Sequence, residues 1–324
     1  MSENVVAVKK GITIQSSEKK YSIIIPHKNS FNLLVRLLES VPKDPDFQII
    51  IVDDNSSEEQ QEILRNHDFG REVKVLFETS AKGAGSARNK GLQHATGKWL
   101  LFADADDFFT ANMLGIISQF YNAEEDMVFF GTTSVFTNDI HQTAYRHQRY
   151  YKLVTDYTEN PSDDHEDALK YYFTPPWGKL IRREMVEKYK IRFQEILASN
   201  DIFFSLNCGF RSKKITAVSE VLYTITVTPN STSTSFSRDH FDARFHAVLK
   251  ANDFLRSIGK HKYQQSVLYY LGRSHAFGWK YALYVLQKLV RHRSNLLIGL
   301  EKVFGYRKML SQRENPLLPS VNKE

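Results

Sequence analysis

Cysteine is nearly absent. The chain of 324 residues has one, Cys208, so no internal disulfide can form and a reducing compartment is the expected setting. Its neighbours Phe203, Phe204, Leu206 and Phe210 predict a buried structural thiol rather than a nucleophile. No apolar run approaches the roughly 18 residues that a membrane-spanning helix needs. Residues 1–20 have neither periodicity nor the apolar centre of a secretion signal, which predicts a loose arm on a cytoplasmic protein. Internal repeats are also missing. What is present is ordinary for a soluble globular protein, 42% hydrophobic and 25% charged, enough for one large domain with an appendage or two modest ones. The net charge of +6 is uneven: residues 241–324 hold 15 Lys/Arg against 5 Asp/Glu, whereas the first 240 hold 28 against 32. A basic C-terminal segment on a mildly acidic body points to an anionic partner for that segment.

The first hundred residues alternate between two patterns. Short β-branched or apolar runs at 21–26, 47–52, 73–77 and 99–103 predict buried strands. Between them, Phe31, Leu33, Leu34, Leu37 and Leu38 recur at helical spacing behind Asn29 or Ser30 as N-cap. The polar run 53–57 can cap a helix over 58–66, and a glycine-containing loop leads into a helix of about a dozen residues from Ser86. Strands alternating with helices of this length specify right-handed β-α-β units and a parallel sheet, with ligands held beyond the carboxyl ends of its strands. The polar clusters 26–30, 53–56 and 104–107 fall at those ends in three successive units, which predicts one site. Asp104, Asp106 and Asp107 crowd three carboxylates onto the end of a buried strand. Their repulsion and desolvation cost would be relieved by a divalent cation, although an isolated Asp-x-Asp is more often a solvated turn.

After residue 107 the pattern loosens. Residues 127–130 read as a strand, and the Tyr-, Thr- and His-rich stretch 132–160 as an antiparallel excursion. The acidic run 163–167 reads as the opening of a helix at 166–173, complementing its dipole, in preference to a metal site. Residues 174–180 predict a rigid turn presenting the Trp177 indole and the Lys179 ammonium, with a helix over 184–190. Glu195, Asn200 and Asp201 precede an apolar helix at 202–210. The Ser/Thr-rich run 224–237 reads as a mobile lid or tether, and the chain from 240 to 310 as mostly helical.

The motifs Ser22-Ile23-Ile24-Ile25-Pro26-His27-Lys28-Asn29, Ile51-Val52-Asp53-Asp54-Asn55-Ser56, Gly83-Ala84-Gly85-Ser86-Ala87-Arg88-Asn89-Lys90-Gly91-Leu92 and Ala95-Thr96-Gly97-Lys98-Trp99 through Asp107 occur in that order. In this the chain resembles the family 2 glycosyltransferases of bacterial capsule, exopolysaccharide and lipooligosaccharide assembly. The likeness is weaker at 177–180 and 193–204 and is lost after about 240. It implies an α/β GT-A fold, a Rossmann-like, mostly parallel sheet flanked by helices with a helical C-terminal extension. The implied division is 21–238 for the catalytic domain (a nucleotide-sugar half, 21–110, and an acceptor half, 111–238) and 239–324 for a basic helical region.

The resemblance implies an inverting enzyme that moves a sugar from a nucleotide diphosphate, UDP by preference, to a hydroxyl of a saccharide or lipid-linked saccharide. Backbone around Pro26, His27 and Asn29 would meet the base, Asp54 would accept from a uracil imide, and Asp104 would reach the ribose or the transferred sugar. Asp106 would hold Mn²⁺ or Mg²⁺, with Arg88 and Lys82 as further donors to phosphate or sugar. Asp201 is the expected general base, a role compatible with capping helix 202–210. Trp177, Lys179 and Glu195 are expected on the acceptor side, Trp177 being equally well placed for a core and Glu195 a weaker alternative base. Two residue pairs depart from the family pattern: His27-Lys28 stands where an aromatic is usual, and Asn200-Asp201 replaces the more frequent Glu-Asp.

Apolar and basic residues interleave from Tyr281 to Phe304, which suits either an anionic membrane surface, contacted through 280–310 at the inner face, or packing on the domain or a second copy in a homo-oligomer. No recognition motif accompanies the basic tail, and no nucleic-acid partner is expected. Two rivals remain. A sugar-nucleotide-forming nucleotidyltransferase would need a Gly-rich phosphate loop after the first strand, where 26–29 has no glycine. The other is a non-catalytic sugar-nucleotide-binding subunit.

Overall fold

The four apolar runs of the first hundred residues become the centre and one edge of an eight-stranded sheet of order β3-β2-β1-β4-β7-β6-β8-β5. The structure, a computed structural model, describes residues 19–79, 83–228 and 237–300. The first elements are β1 (Tyr21–His27), α1 (Phe31–Ser40), β2 (Phe47–Asp54), α2 (Glu58–Asn66), β3 (Val73–Glu78), α3 (Ala84–His94) and β4 (Trp99–Phe102). β1 pairs in parallel with β2 and β4, and β2 with β3. Ile23–Ile25 and Ile49–Val52 are almost completely buried, as strands covered on both faces must be.

The remaining elements are β5 (Phe108–Phe109), α4 (Met113–Ile117), β6 (Met127–Phe136), α5 (Gln148–Glu159), α6 (Asp163–Tyr172), β7 (Lys179–Arg182), α7 (Arg183–Lys188), α8 (Ile202–Arg211), β8 (Ile215–Val227), α9 (Arg238–Ser257), α10 (Leu268–Arg273) and α11 (Trp279–Arg291). β7 runs antiparallel between β4 and β6, and β8 runs parallel to β6. The sheet is therefore parallel on one side of β4 and mixed on the other.

Three expectations are corrected. Within 132–160, β6 extends to Phe136 and the chain then turns into helix α5. Tyr150, Leu153, Val154 and Tyr157 sit at helical spacing and pack on the core, which overrides the strand-like composition. The turn 174–180 presents neither group. Gly178, at φ +66°, sends the chain into β7, and Trp177 and Lys179 are 3% and 2% exposed. Residues 224–227 are the end of β8 rather than a loop, because Thr224 and Thr226 are β-branched and alternate with Ile225 and Val227; residues 229–236 lie outside the described residues. The acidic run does open α6, where the Ser162 side chain accepts from the His165 N–H. Cys208 is buried, and burial pushes its thiol up to about 12.

One large apolar cluster fills both faces of the sheet. A second, smaller one joins Phe241, Phe245, Val248 and Leu249 of α9 to Tyr270, Tyr281, Val285 and Leu289. A third, with Tyr171, Ile202, Leu206, Ala251, Leu255 and Tyr263, fastens α9 to α6 and α8. No described helix is long and apolar enough to cross a membrane.

Candidate active site

The carboxyl ends of β1 and β2 are locked by a buried cluster. His27 and Asp53 are register partners, both essentially fully buried, and His27 Nδ1 lies 2.9 Å from Asp53 Oδ2. Nε2 of the same ring accepts from the Ser30 N–H, and the Asp53 carboxylate also accepts from the Ser56 hydroxyl and N–H. Burial pushes the Asp53 carboxyl up, but the bonds from His27 and Ser56 outweigh it and leave it below its ordinary value. Asn29 and Asn55 bend the two strand ends through left-handed backbone, at φ +50° and +57°. Asn29 Oδ1 accepts from the Ser57 N–H at 2.8 Å, bracing the start of α2. The His27 side chain thus shapes the loop from beneath, and Pro26 is half-buried at the strand end.

Asp54, 5% exposed, accepts from the Gly83 N–H at 3.2 Å, with Lys28 Nζ 3.8 Å away. Burial raises this carboxyl. Gly83 begins the turn into α3, so Asp54 ties the end of β2 to that helix. Lys82 lies outside the described residues.

Beyond β4, the acidic turn is held from below. The Asp104 N–H donates to the Tyr223 hydroxyl at 2.9 Å, and the Asp106 carbonyl accepts from Arg36 Nη2 at 2.5 Å and from Thr226 Oγ1 at 2.6 Å. Asp107 is buried and accepts from the Thr226 N–H at 2.7 Å; burial raises its carboxyl well above the ordinary range. These anchors leave Asp104 and Asp106 partly exposed. Burial, and next the neighbouring Asp104 charge, raises the Asp106 carboxyl, which forms no ion pair among the described residues.

Arg88, 5% exposed on α3, spans the crevice. Its Nη2 donates to Asp104 Oδ1 at 2.5 Å and its Nη1 to Asn200 Oδ1 at 2.8 Å, while Nε is buried without a hydrogen-bond partner. Such an approach requires α3 to touch the segment before α8, and Gly85 permits it: a Cβ there would fall 2.0 Å from the Gln194 carbonyl oxygen. Asp201 follows Asn200 at the N-terminus of α8, where its side chain makes no capping bond. Burial raises the Asp201 carboxyl, opposed by Arg88 and Lys179 and reinforced by Asp104.

The crevice therefore gathers Asp104, Asp106, Arg88, Asn200 and Asp201, with Asp54 at the next strand end. It does not gather the three acceptor-side residues. Trp177 stacks on Tyr223 with ring centres 5.8 Å apart. Lys179 donates to the Phe173 carbonyl beneath two phenyl rings, and burial lowers its ammonium to about 7. Glu195 is exposed, with Asn89 Nδ2 3.5 Å away. No local sequence signal marks Tyr223, Thr226, Arg36, Tyr150 or Arg146 as neighbours of this site. Arg146 bears on Asp106 and Asp107, and Tyr150 feels the charge of Asp201.

The donor set suits a hard divalent cation in part. Asp106, with Asp104 beside it, offers carboxylate oxygens and an unneutralised charge. No group of three or more His, Cys, Asp or Glu able to hold a metal occurs among the described residues, so further ligands would have to come from a diphosphate and water.

Comparison with known proteins fits this geometry. The poly(ribitol-phosphate) beta-glucosyltransferase of Bacillus spizizenii is 28% identical over 63% of this chain, an alignment that spans 32% of that relative. The putative glycosyltransferase EpsH of Bacillus subtilis is 26% identical over 62% of this chain and 59% of its own length. Among solved structures, Staphylococcus aureus TarS 1–349 in complex with UDP superposes with a TM-score of 0.57 at 22% identity, covering 81% of this chain and 73% of that one. The mannosyltransferase PcManGT from Pyrobaculum calidifontis, in complex with GDP-Man and Mn²⁺, gives 0.52 at 14% identity, covering 95% and 88%. Both share the fold. The model of Glycosyl transferase family 2 matches residues 22–190, more than half of the sequence, and the chain belongs to that family.

Proposed function

We propose that this chain transfers a sugar from a nucleoside diphosphate, UDP by preference, to a hydroxyl of a growing cell-surface glycan, with inversion in a single displacement. The observation that carries this reading is the bridge by Arg88 between Asp104 and Asn200, which brings the acidic turn beyond β4 and the carboxylate of Asp201 to one crevice. Relatives named for poly(ribitol-phosphate) glycosylation support a polyhydroxylated surface polymer as acceptor.

In this reading Asp54 and the backbone at 26–29 receive the base, and Asp104 meets the ribose or the sugar. Asp106 and Asp104 would hold Mn²⁺ or Mg²⁺, which when bound supplies Lewis-acid charge for the departing diphosphate. Arg88 places a second positive charge beside the leaving group. Asp201 takes the proton from the acceptor hydroxyl as its oxygen attacks the anomeric carbon. Burial suits it to the task, because a carboxylate with a raised pKa is a stronger base. Tyr150 and Arg146, from the segment before and within α5, border the acceptor side. Trp177 and Lys179 support that wall from inside the core, and Glu195 lies outside it. We also propose 21–238 as the catalytic domain and 239–324 as its appendage, a division supported by the separate apolar cluster of the C-terminal helices.

The test is release of nucleotide from a panel of UDP-sugars with Mn²⁺. Slow hydrolysis of one donor is expected, abolished by EDTA and by Asp106→Ala. Asp201→Asn should bind that donor unchanged while losing about 10²–10⁴-fold in transfer. Binding of a donor without turnover under any condition would make this a sugar-nucleotide-binding subunit. No binding at all would overturn the reading.

A further inference from the structure

Helix α11 has three sectors. Tyr281, Val285 and Leu289 enter the second apolar cluster. Trp279, Leu283, Leu286 and Val290, spaced by four, three and four residues, share a different face and are 72%, 47%, 42% and 71% exposed. Leu296, Leu297 and Leu300 continue the exposed apolar surface beyond the helix. Only four other large apolar side chains among the described residues are exposed, and they are scattered along the chain, so this is a patch rather than background.

The third sector is cationic. Between Asp253 and Glu301 the sequence contains no Asp or Glu at all, and it contains eight Lys or Arg. Arg256, Lys260 and Lys262 are tied to Asp253, Asp167 and Asp164. Lys280, Lys288, Arg291 and Arg293 have no ion pair among the described residues. The platform beneath them is fixed: Tyr281 Oη donates to Asp242 at 2.6 Å, and His292 Nδ1 lies 2.6 Å from Asp253.

We propose that this face of α11 lies on a bilayer surface rich in anionic lipid, with the four apolar side chains in the headgroup boundary and the cations at lipid phosphates. Charge selects this occupant. A second copy would set one cationic surface against another, and the two carboxylates beside α11, Asp242 and Asp253, are already engaged by Tyr281, His292 and Arg256. A lipid surface satisfies both sectors at once, and Trp suits that interface. The inference stands apart from the sugar-transfer reading, because neither the crevice nor a donor takes part in the contact.

Tryptophan provides the probe. Of the three, Trp99 and Trp177 are buried and only Trp279 faces solvent, so a blue shift on binding reports this face. The full chain would be mixed with vesicles of phosphatidylcholine plus phosphatidylglycerol, or of phosphatidylcholine alone, and followed by fluorescence and sedimentation. Expected are a blue shift and co-sedimentation with the mixed vesicles, weakened about tenfold on the neutral vesicles and in high salt. The triple variant Trp279→Ser, Leu283→Gln, Val290→Gln and the charge variant Lys280→Glu, Arg291→Glu should each lose binding about tenfold or more, with circular dichroism and donor hydrolysis unchanged. Absence of vesicle binding, or equal binding to neutral vesicles, would overturn the proposal. So would a dimer in light scattering that the triple variant dissociates, which would assign the face to a second copy.

Discussion

The strand ends of β1, β2 and β4 and the outer face of α11 are both places where the chain meets solvent, and they are built in opposite ways. At the strand ends most of the polar groups already have partners: His27 and Ser56 hold Asp53, Gly83 holds Asp54, and Arg88 holds Asp104. On and just beyond α11 apolar side chains face water and four cations have no ion partner among the described residues. The first surface is ordered by folding itself, so a small ligand meets groups that need little rearrangement. The second is left unsatisfied, and a large flat partner would supply what it lacks.

The comparison can be broken at the helical region first. Phe245→Ala removes a fully buried ring from the second apolar cluster and should cost about 3–5 kcal/mol there. A calorimetric melt should then resolve an early transition for the helices and a later one for the sheet. A single transition, shifted as a whole, would mean that the third cluster makes the two regions one cooperative unit.

At the strand ends, Asp53→Asn should cost about 3 kcal/mol at pH 7, because the hydrogen bonds from His27 and Ser56 lose their charged acceptor inside the core. The sign with pH follows from the lowered carboxyl. Its stabilisation is complete above the unfolded value of about 3.9 and is lost as pH falls through the lower folded value. The gap between wild type and variant should therefore be full at pH 7 and narrow towards pH 3 in denaturant titrations. A gap that widened in acid would contradict the assignment.

Gly85→Ala sharpens the comparison from the side of function. The added methyl would press on the Gln194 carbonyl and push the segment bearing Asn200 and Asp201 away from α3. A displacement of this order should lower transfer about 100-fold, while vesicle binding through α11 stays as in wild type. Transfer at the wild-type rate would show that this contact does not set the position of Asp201.

The parallel half was legible because its signals are local. Ile23–Ile25 and Ile49–Val52 are β-branched runs with polar stops, and the helix expected at 58–66 occupies those residues. The mixed half was less legible because its decisive contacts are remote. Tyr223 and Thr226 reach the acidic turn from about 120 residues away, and nothing near them in sequence points there. Composition also misled: tyrosine and threonine suggested strands over 132–160, where the spacing of Tyr150, Leu153, Val154 and Tyr157 was helical. The crevice was readable as far as its motifs ran. The bridge from Arg88 to Asn200, 112 positions apart, required the fold.

That bridge has a consequence for anyone wishing to alter this protein. One guanidinium fastens a carboxylate at the end of β4 and an amide at the start of α8, so two halves of the crevice share a single rivet. A substitution at 88 moves the Asp104 side and the Asp201 side together, and no change at that position can retune one and leave the other where it was. The separate handles are further out, at Asp54 on one side and along α5 on the other.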